Sequence, residues 1–90
     1  MNNEKAIIIF SIFRKNGSLE THDIEVPLYI TAIELVMGLN EAYHLGLDIE
    51  NIRNCYLKAE NPIALLRGNK LLSEYHVMNG TNIVFTEGER

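Results

Sequence analysis

Residues 31–47, "TAIELVMGLNEAYHLGL", constrain the fold most, because they specify one amphipathic helix with both ends marked. Thr31 and Glu34 have the T-x-x-E spacing of a capping box. The Thr hydroxyl can accept from the Glu34 N–H while the Glu carboxylate accepts from the N–H of the cap. Ile30 and Leu35 flank them at staple spacing. Ala32, Leu35, Val36, Leu39, Ala42 and Tyr43 recur at intervals of three and four and form one apolar stripe. Gly46 is the expected left-handed stop with Leu47 as its apolar companion, and His44 falls in the last turn. These signals predict a helix over 31–45. A lone helix with one apolar stripe must bury it on a sheet, which makes the chain a two-layer α+β domain.

The remaining segments read as strands. "AIIIFSIF" (6–13) is β-branched and aromatic, and Asn16-Gly17 after it is a hairpin turn, since both residues tolerate positive φ. "LETHDIEV" (19–26) alternates and is closed by Pro27. After the helix, "DIENI" is a connection, "RNCYLKA" (53–59) a third strand and "IALLR" (63–67) a short fourth. "KLLSEYHV" is a packed loop, Asn79-Gly80 a turn, and "TNIVFT" (81–86) the fifth strand. Hairpin, helix, strand, short strand, strand is the β-grasp order. It predicts a mixed sheet of four to five strands packed on one helix, with the first and last strands adjacent in the middle.

At 90 residues and 10.3 kDa the chain is one domain, with an ordered core over 5–86 and a short tail at 87–90. Area scaling leaves about 64% of the unfolded surface buried, enough for one modest core. The net charge of −4 and the single, scattered Lys and Arg residues give no basic run to draw nucleic acid or an anionic membrane. No stretch reaches a membrane span, and no signal-peptide pattern is present, so a cytoplasmic location is expected. The lone Cys55 cannot form an internal disulfide, and a buried apolar role fits it best. His22, His44 and His76 have no His or Cys at ligand spacing, and no G-x-S-x-G or phosphate loop occurs. Neither enzyme activity, nor a cofactor, nor a metal is expected.

Two motifs add a resemblance. "DIEVPLYITAIELV" (23–36) and "LLSEYHVMNGTNIVF" (71–85) resemble the YukD/EsaB family. These are ubiquitin-like accessory proteins of the type VII (WXG-type) secretion systems of Gram-positive bacteria. Val77 replaces the family's usual Ile, and Thr81-Asn82 its usual Asp. The resemblance implies a cytosolic component that serves or regulates export of small helical proteins, with secretion components as partners. It also implies that Tyr75 packs under the loop and bonds a backbone group through its hydroxyl, which agrees with a Tyr set beside Leu71, Leu72 and Val77. Gly80 completes the turn before the last strand.

Conjugation as a ubiquitin-like modifier, or sulfur carriage, requires a slim Gly-Gly tail. "TEGER" after Phe85 does not supply one, and Glu87 and Glu89 read as solubility charges. A non-covalent interaction module is the better reading, with an orphan protein-binding adaptor unconnected with secretion as the alternative. The first strand supports it. A sheet with one wet face should alternate, yet residues 6–13 are apolar almost throughout. With Ile8, Phe10 and Ile12 on the helix, Ile7, Ile9 and Phe13 face outward beside Val84. That predicts an apolar patch for a protein partner, with a homodimer through the same face as the next reading.

Overall fold

The computed structural model describes residues 4–88. Strands β1 (Lys5–Phe13) and β2 (Leu19–Pro27) form a hairpin, followed by helix α1 (Ala32–Tyr43) and a 3-10 segment (Ile49–Asn54). Then come β3 (Leu57–Glu60), β4 (Ala64–Leu66), a 3-10 turn (Ser73–Tyr75) and β5 (Asn82–Thr86). The sheet order is β2-β1-β5-β3-β4. β1 and β5 pair in parallel at the centre, and the other pairs are antiparallel. The architecture is therefore α+β, a mixed five-stranded sheet with one helix on it.

The core lies between the sheet and α1. Ile8, Phe10 and Ile12 of β1 and Ile83 and Phe85 of β5 are buried in one cluster with Ala32, Leu35, Val36 and Leu39 of the helix. Leu72 and Val77 of the loop before β5 close one end. The helix start forms as its sequence dictates: Glu34 N–H donates to Thr31 Oγ1 (3.2 Å) and Thr31 N–H donates to Glu34 Oε1 (2.9 Å). The first N–H groups of a helix have no partner within it. Here Ala32 N–H donates to the Lys70 carbonyl and Ile33 N–H to that of Gly68, so the β4–β5 loop completes the cap.

Three local expectations are corrected. Helix α1 is ended by His44, which takes the left-handed conformation (φ 54°) two residues before Gly46. Gly46 is also left-handed (φ 77°), and it turns the chain so that Leu47 N–H reaches Asn40 Oδ1 at 2.9 Å. The side chain of Asn40 thus binds the chain that leaves the helix end. Ala42 is exposed, so the buried stripe stops at Leu39 with Tyr43 half-buried. Residues 53–56 are not strand. The Asp48 carboxylate accepts from Glu50 N–H and its carbonyl from Asn51 N–H, which winds Ile49–Asn54 into 3-10 turns, and β3 starts only at Leu57. The loop at 70–77 contains a 3-10 turn, bracketed by Leu71 N–H donating to Glu74 Oε1.

Candidate protein-binding face

One sheet face holds α1, and the other is open. The register defines its rows. Ile9 lies between Asp23 and Asn82; Ser11 lies between Thr21 and Val84. Val84 has Lys58 on its other side, and Lys58 faces Leu65. Phe13 lies between Leu19 and Thr86, and Ile7 is beside Glu25. Of the apolar residues expected here, Ile7 is 52% exposed, Ile9 38% and Phe13 43%, while Val84 is half-buried.

These four share a face but do not form one unbroken patch. The parallel register sets Val84 against Ser11 and Asn82 against Ile9. A polar line follows: Ser11 Oγ donates to Asn82 Oδ1 (3.0 Å), and Asn82 Nδ2 donates to Glu60 Oε1 (3.2 Å). The expectation that the outward side chains of the two central strands would touch assumed a register the sequence does not encode. The structure also adds apolar residues that sequence reasoning missed. Leu19 stands opposite Phe13, and Leu65 opposite Lys58. Ile63, in the turn before β4, is 90% exposed and lines an open hollow of about 680 Å³ with Lys58, Glu60 and Leu65. Counting back from a two-residue Asn16-Gly17 turn would have set Phe13 opposite Glu20, so Leu19, like Leu65 and Ile63, required the true register.

The edge of this face is fixed by backbone bonds. Ile7 N–H donates to Asn79 Oδ1 (2.8 Å), Gly80 N–H to the Ile7 carbonyl (2.9 Å), and Ile9 N–H to the Thr81 carbonyl (2.9 Å). Gly80 has φ 88°, a conformation that side chains disfavour, so this turn requires it. Thr81 is fully buried; its hydroxyl accepts from Met78 N–H (3.0 Å) and donates to the Asn61 carbonyl (2.8 Å). At the far side of the loop, the Tyr75 hydroxyl donates to the Arg67 carbonyl (2.8 Å), with the ring half-buried and Lys70 Nζ 4.7 Å from its centre.

A polar cluster lies where β1, α1 and the residues after β5 meet. Arg14 Nε donates to Glu20 Oε2 (2.7 Å), and its Nη2 donates to the Tyr43 carbonyl (2.9 Å) at the helix C-terminus, where a cation complements the dipole. Its Nη1 lies 3.4 Å from Glu87 Oε2, and Glu87 Oε1 accepts from Lys15 N–H (2.9 Å). Glu87 N–H donates to the Phe13 carbonyl (2.8 Å). Glu87 is therefore not the solvated charge its place in the sequence suggested, while Glu89 lies outside the described residues. The Lys15 N–H, and then Arg14, hold the Glu87 carboxyl below the usual carboxylate range. Arg14 followed by His22 does the same for Glu20. His22 Nε2 is 3.5 Å from Glu20 Oε1 without a hydrogen bond between them, and its ring packs on Tyr43 with centroids 4.7 Å apart. Cys55 is buried, with Sγ 3.3 Å from the Asp48 carbonyl.

No protein-family model and no curated protein matches this sequence. Solved structures do match. The C-terminal ubiquitin-like domain of mouse tubulin-specific chaperone e superposes with a TM-score of 0.64 at 15% identity, over 98% of this chain and 93% of that one. The fold is ubiquitin-like. A designed protein based on ubiquitin also matches, with a TM-score of 0.53 at 21% identity over 89% of this chain and 84% of that one. At these identities the likeness speaks for the fold alone. Among the described residues of this ubiquitin-like domain, no helix is long and apolar enough to cross a membrane, and no three His, Cys, Asp or Glu side chains are grouped to hold a metal ion.

Proposed function

We propose that this ubiquitin-like domain is a non-covalent protein-binding module that works through the open sheet face. The observation that carries the reading is the set of exposed apolar side chains on that face: Ile7, Ile9 and Phe13 of β1, with Leu19 and Leu65 on the flanking strands. Apolar groups scattered singly over a surface mean little, whereas several on one rigid sheet face mark a contact site. Each contributes about 25 cal/mol per Å² of apolar area removed from water, before the cost of association. The partner is a protein, and the module acts without catalysis or cofactor. Glu87, held by Lys15 and Arg14, makes the start of the segment after β5 a packed element rather than a free handle, which supports non-covalent use.

On the YukD/EsaB resemblance, the setting is the cytoplasm of a Gram-positive bacterium, and the role is accessory or regulatory in type VII secretion. Two experiments test the two levels. Ile9→Lys should leave the fold intact, because the side chain points to solvent, and should abolish capture of secretion components; unchanged capture would remove the face from the mechanism. Gene neighbourhood tests the setting: an FtsK-like membrane ATPase and WXG substrates should lie nearby, and their absence favours the orphan adaptor.

A further inference from the structure

We propose that Asn16, and not Asn79, is a site of spontaneous deamidation in the folded protein, where the side-chain amide is exchanged for a carboxylate. Both residues precede a glycine, Gly17 and Gly80. That pairing opens the Asn side chain to attack, because a glycine nitrogen has no neighbouring Cβ to shield it. The Gly N–H gives its proton to hydroxide, and the nitrogen attacks the Asn Cγ. A nitrogen–carbon bond forms, the bond from Cγ to the side-chain nitrogen breaks, and ammonia leaves with a proton taken from water. The product is a cyclic imide. Water then opens the imide at either carbonyl. Attack at Cγ gives Asp, and attack at the main-chain carbon gives an isoaspartyl linkage. The net exchange consumes water and releases ammonia, with no oxidant or reductant.

The fold separates the two sites. In each, the Gly N–H and the Asn side-chain oxygen are both held, so reaction waits for that segment to open. At Asn16 the holding groups lie within the turn itself. Gly17 N–H donates to the Arg14 carbonyl (3.0 Å), and Asn16 Oδ1 accepts from Ser18 N–H (2.9 Å). Residues 15–18 are exposed, and Arg14 N–H closes the turn on the Ser18 carbonyl (2.9 Å). These bonds can open without breaking a pair between β1 and β2. At Asn79 the holding groups belong to β1. Asn79 Oδ1 accepts from Ile7 N–H (2.8 Å), and Gly80 N–H donates to the Ile7 carbonyl (2.9 Å). The next residue, Thr81, is fully buried and bonded to the Asn61 carbonyl. Freeing Gly80 therefore means lifting the start of β5 from the middle of the sheet. Exposed turns open at little cost, whereas core strands open at a cost that approaches global unfolding. The new carboxylate would stand in the turn that joins Phe13 to Leu19, adding a negative charge at that end of the open face.

The full chain carries its own control, since both Asn-Gly pairs lie in one molecule. It is held at mildly alkaline pH, each Asn is followed by peptide mass spectrometry, and intact acidic species are followed by ion exchange. In the folded protein Asn16 should lose its amide roughly a hundredfold or more faster than Asn79. In urea, where neither turn persists, the two should convert at similar rates, so unfolding should accelerate Asn79 far more than Asn16. Asn16→Gln should remove the main acidic species from the folded protein, because the longer side chain cannot close the same ring. Similar rates at the two sites in the folded protein, or a faster Asn79, would overturn the proposal. So would an Asn16 that folding slows as much as Asn79, or a main acidic species that persists in the Gln variant.

Discussion

Thr81→Val tests how the working face is held in place. Val keeps the shape and branching of Thr and removes only the hydroxyl. Thr81 is fully buried, and its hydroxyl joins Met78 N–H to the Asn61 carbonyl, tying the start of β5 to the turn between β3 and β4. Each neutral hydrogen bond is worth about 1 kcal/mol net, so losing both costs about 2 kcal/mol. Met78 and Asn61 belong to exposed residues, so water can reach part of what is uncovered, and the full penalty for two orphaned buried groups does not apply. Thr81→Ser makes the opposite cut. It keeps both bonds and loses one buried methyl, about 1 kcal/mol. The Val variant should therefore be the less stable of the two. In a domain of this size, about 2 kcal/mol corresponds to a fall in Tm of roughly 8–16 °C, against roughly 4–8 °C for Ser. Thermal and urea unfolding followed by circular dichroism measure both. A Ser variant less stable than the Val variant, or a Val variant within about 0.5 kcal/mol of wild type, would refute the view that this hydroxyl anchors the strand.

Leu39→Ala should cost about 2–5 kcal/mol in urea unfolding, because Leu39 is buried in the middle of the helix–sheet contact. Thr31→Ala removes the helix cap and should cost about 1 kcal/mol, most of which Thr31→Asn should restore. The carboxyls of Glu20, Glu34 and Glu87 are all held below their ordinary value. A group depressed in the folded state contributes stability that is fully present above its unfolded value and is lost as pH falls through its folded one. Stability should therefore decline in the acid range below about pH 4. Glu87→Gln should flatten that decline and leave the neutral-to-alkaline profile parallel to wild type; an unaltered acid limb would mean that Glu87 is solvated. Mass spectrometry of the protein from its own cells should find it free of a bond through its C-terminal carboxyl, and an adduct to another protein would refute non-covalent use.

The sequence by itself determined the parts whose partners are a few residues apart. The Thr31–Glu34 box and the stripe Ala32–Leu35–Val36–Leu39 are local and present, and a hairpin does turn at Asn16-Gly17, although through residues 14–18 and with only Gly17 of the two at positive φ. The two-sided apolarity of β1 is local too, because alternation is a property of the strand itself. Together they sufficed for the fold class and for the outward direction of Ile7, Ile9 and Phe13. Only the tertiary structure decided what depends on register and on approach across the chain. Ser11 and Asn82 are 71 residues apart, and nothing local sets Val84 beside Ser11 rather than Ile9. Arg14 gathers Glu20, the Tyr43 carbonyl and Glu87 from three separate segments, and no spacing rule connects them. His44 takes the left-handed conformation that ends the helix, and the Asn40 side chain holds Leu47 beyond it, a bond between residues brought together only by the turn. Hydrophobic period is written into neighbouring residues, whereas register is a choice among pairings of similar burial, settled by the packing of the whole sheet against the helix.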